Sequence, residues 1–264
     1  MHIAVCIKQT PDSAANVVVE NGAATWGDAP MVVNPWDEYA LEEAIRTKEQ
    51  HGGQVTALVM GPESAREALK TAIAMGCDSG VMVSDEVLAG CDARMTARVL
   101  ARAIEKLGDV ELTVFGKQAI DGDTGLVPVS VACTLGWNAL SYVAEINELD
   151  VDNARISVAR SLEEGRQNCS GVLPAVISVV KEINEPRYPS FIGIRKASKA
   201  DILVWDLAEL GLEVAEMKAG GAAVTWSDMR PLPARSRTVE FIEGESMEVI
   251  VAMLADRLMA DKVI

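Results

Sequence analysis

Four short apolar runs limit what this chain can fold into. Residues 3–7, 55–60, 80–83 and 112–115 carry no charge, hold β-branched side chains and are too short for helices. They read as strands buried on both faces of a parallel sheet. The segments between them carry helix punctuation: Asn34-Pro35 before a stretch ending near Gly52, Gly61-Pro62 before one ending at Gly76, and Asp92 before one ending at Gly108. Apolar spacing agrees, with Ala40, Leu41, Ala44 and Ile45 on one face, Ala65, Ala68, Leu69, Ala72 and Ile73 on a second, and Met95, Val99, Ala103 and Leu107 on a third. Strand alternating with helix predicts an α/β chain with a Rossmann-like, doubly wound and mostly parallel sheet of the adenine-nucleotide-binding type. Aromatics make up only 4% of the residues against 49% apolar, so aliphatic side chains must fill the interior.

The rhythm changes after Trp137. Ile156, Val158 and Arg160 alternate in polarity, and an extended run over 172–180 follows a Glu163-Glu164-Gly165 turn, which predicts added strands, partly antiparallel. From Asn184 onward Pro186 and Pro189 break regular structure, and Arg187, Arg195, Lys196 and Lys199 form the one modest basic cluster. Gly220-Gly221 reads as a linker, and Met247, Ile250, Leu254 and Leu258 share one face of a terminal helix. The expected division is an α/β domain over 1–183 and an extended C-terminal arm over 184–264 that packs on a partner.

Charge and composition exclude several classes. A net charge of −15 disfavours nucleic acid and anionic lipid as partners, and no apolar run is long enough to span a membrane. The N-terminus enters a strand pattern at once, so the expectation is a cytoplasmic protein. Cys6, Cys77, Cys91, Cys133 and Cys169 lack zinc or dithiol spacing and read as reduced, mostly packed thiols. With only His2 and His51, a His-rich metal centre or serine-type triad is poorly supplied, so neither a metal site nor a catalytic residue is expected. His51 suits a helix C-terminus, where positive charge complements the dipole.

In open α/β sheets ligands lie beyond the carboxyl ends of the strands. The fourth run leads into Gly116, Lys117, Gln118, Ala119, Ile120, Asp121, Gly122, Asp123, Thr124 and Gly125, ahead of an apolar helical segment over 127–135. Glycines before a helix start present free backbone N–H groups to a phosphate, and the Thr124 hydroxyl adds a donor. There is no Walker loop here and no Gly-x-Gly-x-x-Gly after the first run, which disfavours standard dinucleotide dehydrogenases. Asp121 and Asp123, beside the helix start, suit capping better than acid-base work or magnesium.

The string from Gly116 to Thr124 resembles the nucleotide loop of electron transfer flavoprotein beta subunits, a family that includes nitrogen-fixation-associated homologues. Ala4-Val5-Cys6-Ile7-Lys8-Gln9 resembles that family's first strand, and Asn34-Pro35-Trp36-Asp37 with Leu41-Glu42-Glu43-Ala44 resembles its helix start. Met60-Gly61-Pro62, Ala74-Met75-Gly76-Cys77-Asp78, the Val158 to Gly165 region with Pro174-Ala175-Val176-Ile177-Ser178, and Asn184-Glu185-Pro186-Arg187-Tyr188-Pro189 follow in order.

The resemblance implies a subunit that holds AMP or, in the electron-bifurcating branch, FAD, paired with an alpha subunit that carries the main FAD. Electrons would come from dehydrogenases or NADH, with dehydrogenase or quinone-reductase docking partners. Position by position it implies cofactor contacts at Cys6, Asn34, Pro35, Trp36, Asp37, Met60, Asp121, Gly122, Asp123, Thr124, Gly125, Leu126, Val127 and Ser130, and partner contacts at Arg187, Tyr188, Pro189 and Phe191. Two positions depart from the family pattern: Leu126 and Pro128 stand where relatives usually have Gln and Gly, and each removes a potential donor. Pro11-Asp12-Ser13 is closer to the Pro-Asp-Thr of the bifurcating branch, which favours FAD over AMP. The contrasting readings are a stand-alone nucleotide sensor of universal-stress-protein type and a structural subunit whose site has decayed.

Overall fold

A computed structural model describes the chain except for residues 216, 218–221, 232 and 234–238. Gly220-Gly221, expected as a linker, lie outside the described residues. Two compact units are formed, Met1–Met229 and Arg230–Ile264.

The first unit is built on a nine-stranded sheet. Its strands are β1 (His2–Ile7), β6 (Gln54–Met60), β7 (Ser79–Val83), β8 (Val110–Gly116), β9 (Asn138–Asp150), β10 (Arg155–Leu162), β11 (Gly165–Val172), β12 (Ala175–Val179) and β13 (Leu203–Trp205), in the order β11-β10-β9-β12-β8-β1-β6-β7-β13. Every pairing from β13 across to β9 is parallel, and β10 and β11 extend the sheet antiparallel. Two small antiparallel pairs, β2 (Gln9–Pro11) with β5 (Met31–Val33) and β3 (Val18–Glu20) with β4 (Ala23–Thr25), fill the excursion after β1.

Helices cover both faces, because successive side chains on a strand point to opposite sides. Ile3, Val5 and Ile7 pack with α1 (Pro35–His51), α2 (Arg66–Met75) and α5 (Phe191–Ala197). Ala4 and Cys6 pack with α3 (Ala93–Leu107) and α4 (Val127–Leu135). The helical faces read from the sequence are the ones buried: Ala40, Leu41, Ala44 and Leu69 are fully enclosed, while Met95 and Leu107 are partly so. Asp92 caps α3 by accepting from the Met95 N–H at 2.8 Å. His51 lies in the last turn of α1 as expected.

Three expectations need correction. The extended run over 172–180 is not one strand: it ends β11 and forms β12, with Pro174 between them. The longest strand, β9, was not anticipated, since its alternation is interrupted where the ladder shifts register. The described residues of 184–229, expected in an arm, belong to the first compact unit. There β13 adds to the sheet beside β7, and Trp205, Leu207, Leu210 and Leu212 are buried under α3.

In the second unit α6 (Met247–Ala260) starts at Ser246, whose side chain accepts from the Val249 N–H at 3.4 Å. None of its residues is buried. All five cysteines are free; Cys6 and Cys77 are buried, whereas Cys133 is exposed. No helix among the described residues is long and apolar enough to cross a membrane, and no group of metal-binding side chains comes together among them.

Candidate functional site at the strand switch point

The chain runs from β1 outward through β6 to β7, then returns to place β8 on the other side of β1. Crossovers from β1 and β8 therefore diverge and leave a crevice beyond their carboxyl ends. The first residues past the two strands, Lys8 and Lys117, stand at its lip.

Asp37, in the first turn of α1, ties the two strand ends together. One carboxylate oxygen accepts the Lys8 backbone N–H at 2.8 Å and the other accepts the Gly116 N–H at 3.2 Å. Only 6% of Asp37 is exposed. Burial pushes its carboxyl up to about 7, against the hydrogen bonds from Lys8, Asn34 and Gly116 that act to lower it. Gly116 is required by this contact: a Cβ there would strike the Asp37 carboxylate and the Trp36 backbone.

Asn34 precedes α1 yet does not cap it with its side chain. Its amide instead clamps the loop after β8, donating to the Gln118 carbonyl at 2.9 Å and accepting from the Ile120 N–H at 3.1 Å. The Lys8 ammonium meets Asp121 at 2.6 Å, leaving the second Asp121 oxygen buried without a donor. Gln118 donates to Asp123, and the Asp123 N–H returns to the Ala119 carbonyl at 2.8 Å. Asp123 and Gly125 take positive φ values of 53° and 61°, which turn the loop into α4. The Asp121 and Asp123 carboxylates therefore organise the loop, and neither caps the helix as the sequence suggested. Leu126 occupies the cap position of α4 with no side-chain cap, so the first N–H groups of α4 meet no capping side chain. Pro128 sits in the first turn, where its missing N–H breaks no helical bond.

Of the residues singled out from sequence, Asn34, Pro35, Trp36, Asp37 and the 121–127 loop converge on this crevice, with Ser130 one turn into α4. Thr124 is exposed within that loop. Cys6 lies beneath it, 4% exposed on the α3/α4 face, and burial with the nearby Asp37 charge pushes its thiol well above the ordinary value, so it is no nucleophile. Met60 ends β6, the strand next to β1, packed partly against the same core. The sequence reading missed Lys8 and Gln118 as site side chains. Their signal was position, immediately after a strand's last buried residue and inside the glycine-rich loop.

Arg187, Tyr188, Pro189 and Phe191 lie on another part of the surface. Arg187 is held inside the chain, its guanidinium bridging Glu42 at 2.8 Å and Glu49 at 2.7 Å. Tyr188 and Phe191 are 93% and 94% exposed. A separate cleft of about 520 Å³ opens between the second half of α1 and β9, lined by Glu43, Arg46, His51, Glu145, Arg166 and Glu182. Its charges are mixed and it is remote in sequence from the switch-point loops, so the candidate site is assigned by the geometry of the strand ends instead.

An electron transfer flavoprotein domain matches residues 27–210, which span α1, the switch-point loop and the antiparallel extension. The chain belongs to the electron transfer flavoprotein family. Its relatives place it on the beta-subunit side of that family, together with FixA proteins. It is 38% identical to Protein FixA of Azorhizobium caulinodans over 81% of this chain and 78% of that one. It is 33% identical to the electron transfer flavoprotein subunit beta of Megasphaera elsdenii over the full length of both. The Mycobacterium tuberculosis subunit beta is 36% identical over 96% of this chain and 97% of its own. The family model and these relatives carry the functional class: electron transfer.

Proposed function

We propose that this chain is the beta subunit of a heterodimeric electron transfer flavoprotein, and that it holds an adenine nucleotide, FAD in preference to AMP, at the crevice between β1 and β8. The observation that carries the nucleotide reading is the orphaned Asp121 oxygen, buried without a donor beside a loop whose helix start has no side-chain cap. That oxygen suits a ribose hydroxyl or an amino group, and the loop amides suit phosphate. The Cβ position of Gly122 meets no atom within 4 Å, which leaves open space on that side of the loop. The departures Leu126 and Pro128 remove side-chain and backbone donors but leave the amides of Thr124, Gly125, Leu126 and Val127 in the loop.

A bound flavin would supply the redox chemistry, passing electrons between dehydrogenases or NADH and an acceptor. The chain's own residues do no covalent step. Asn34 and Asp37 fix the crevice walls, Lys8 orients Asp121, and the 121–127 loop binds. The alpha subunit is the proposed partner of the second unit, whose helix α6 buries none of its apolar side chains. Tyr188, Pro189 and Phe191 are further proposed partner contacts, Tyr188 and Phe191 being almost fully exposed. The free cysteines suit the cytoplasm.

Co-expression with the alpha subunit tests this reading. A yellow one-to-one complex that releases FAD, or FAD and AMP, on denaturation is the expected result, with two FAD per heterodimer marking the bifurcating type. A colourless, well-folded monomer indifferent to that subunit would overturn it, and homodimerisation with ATP binding would favour the nucleotide-sensor reading.

A further inference from the structure

One cation at the crevice is held in an unusual way. Lys117 directly follows β8, and its ammonium lies 5.3 Å from the ring centroid of Trp36 and 5.6 Å from that of Tyr142. Acidic side chains outnumber basic ones 39 to 24, and Lys8, Lys48 and Arg187 all pair with carboxylates. Lys117 makes no ion pair among the described residues. Aromatic faces fix a cation in place without neutralising it, so the charge stays available to an anion.

The backbone departs from regular geometry to complete this arrangement. Tyr142 has φ of +60° inside β9, a conformation that a bulky side chain avoids. Pairing with β12 shifts register at this point, and the Tyr142 N–H donates to the Ser178 hydroxyl at 3.3 Å. Strain of this kind persists where a side chain's position matters to a site. The Lys117 backbone adjoins the loop, since a Cβ at Gly125 would lie 3.6 Å from the Lys117 carbonyl oxygen, so the side chain starts within reach of it.

We propose that Lys117, held between Trp36 and Tyr142, pairs with the second phosphate of a ligand whose first phosphate rests on the 121–127 amides, and so selects nucleoside diphosphates and dinucleotides over monophosphates. The proposal rests on the nucleotide reading of the crevice and deepens it. Lys117 joins the binding residues, and Tyr142 is a positioning residue acting through it.

Calorimetric titration of the nucleotide-depleted heterodimer with AMP and ADP is the test. The wild type should bind ADP more tightly than AMP by about tenfold or more, the effect of one charge-assisted phosphate contact. Lys117→Met should weaken ADP binding far more than AMP binding and so remove that preference, and Lys117→Arg should restore much of it. Tyr142→Asn carries the same test without touching the lysine: Asn accommodates the left-handed backbone, so the thermal midpoint should hold or rise while the ADP preference falls. Equal loss of AMP and ADP in Lys117→Met, or an unchanged ratio in both variants, would overturn the role of Lys117 and leave the nucleotide reading standing. A wild-type complex that binds neither nucleotide would sink both.

Discussion

The Lys8 ammonium and the Asp121 carboxylate meet at 2.6 Å, joining the end of β1 to the loop that follows β8. Their side chains are 49% and 19% exposed. An ion pair this wet contributes at most about 1 kcal/mol to stability. Its larger effect is to aim the loop, so Lys8→Met should leave the thermal midpoint within a few degrees of wild type yet lower the nucleotide retained through purification. Chromatography of the nucleotide released on denaturation measures this, and full retention in the variant would refute it.

Asp37 gives the fold a pH dependence of definite sign. Burial raises its carboxyl from 3.8 to about 7, so the folded state holds the proton more tightly than the unfolded chain does. The stabilisation from protonation is fully present below about pH 4 and is lost as pH climbs through about 7, levelling off above it. Asp37→Asn removes this slope. The stability of wild type minus that of Asp37→Asn, from urea titrations across this range, should decline with rising pH. A flat difference would contradict the assignment.

Gly116→Ala should cost about 1–3 kcal/mol, the usual penalty for forcing a methyl into a filled space. The added carbon would displace Asp37 and the Trp36 backbone, so loss of nucleotide should accompany the drop in urea midpoint. A neutral substitution would mean that the α1 start can slide, and the crevice is not fixed as described.

The Arg187 guanidinium joins a buried and an exposed carboxylate of α1: the Glu42 side chain is 6% exposed and Glu49 is 52% exposed. Arg187→Ala strips the buried Glu42 of its guanidinium and leaves it only the residue-187 backbone N–H, 3.1 Å away, which should cost about 2 kcal/mol, discounted because Arg187 itself is one-third exposed. Glu49→Ala should cost about 0–1 kcal/mol. Hydrogen exchange over residues 184–192 should rise in the first variant far more than in the second. Equal effects would show that the ordering of this segment does not depend on Glu42.

Strand and helix order was legible in the chain because a parallel sheet buries both faces of its strands, and residues 3–7, 55–60, 80–83 and 112–115 had no other place to go. Helix starts at Pro35 and Asp92 and stops at Gly52, Gly76 and Gly108 were equally local, set by backbone chemistry within a turn. The glycine-rich loop could be marked as a candidate site for the same reason.

What local sequence could not supply was which side chains face each other across long separations. Asn34 looks like a helix cap and Asp121 like another, yet the order of β1 and β8 brings one onto residues 118–120 and the other onto Lys8. Residues 184–229 read as an arm because Trp205, Leu207 and Leu210 are too scattered to signal a core, and only the free edge of β7 gives them one. Sequence determined the elements, since propensity, capping and burial period act within a few residues. Tertiary structure alone decided the partners of Asp37, Lys117 and Arg187, because hydrogen bonds and charges act through space and depend on the strand order that the whole chain must assemble.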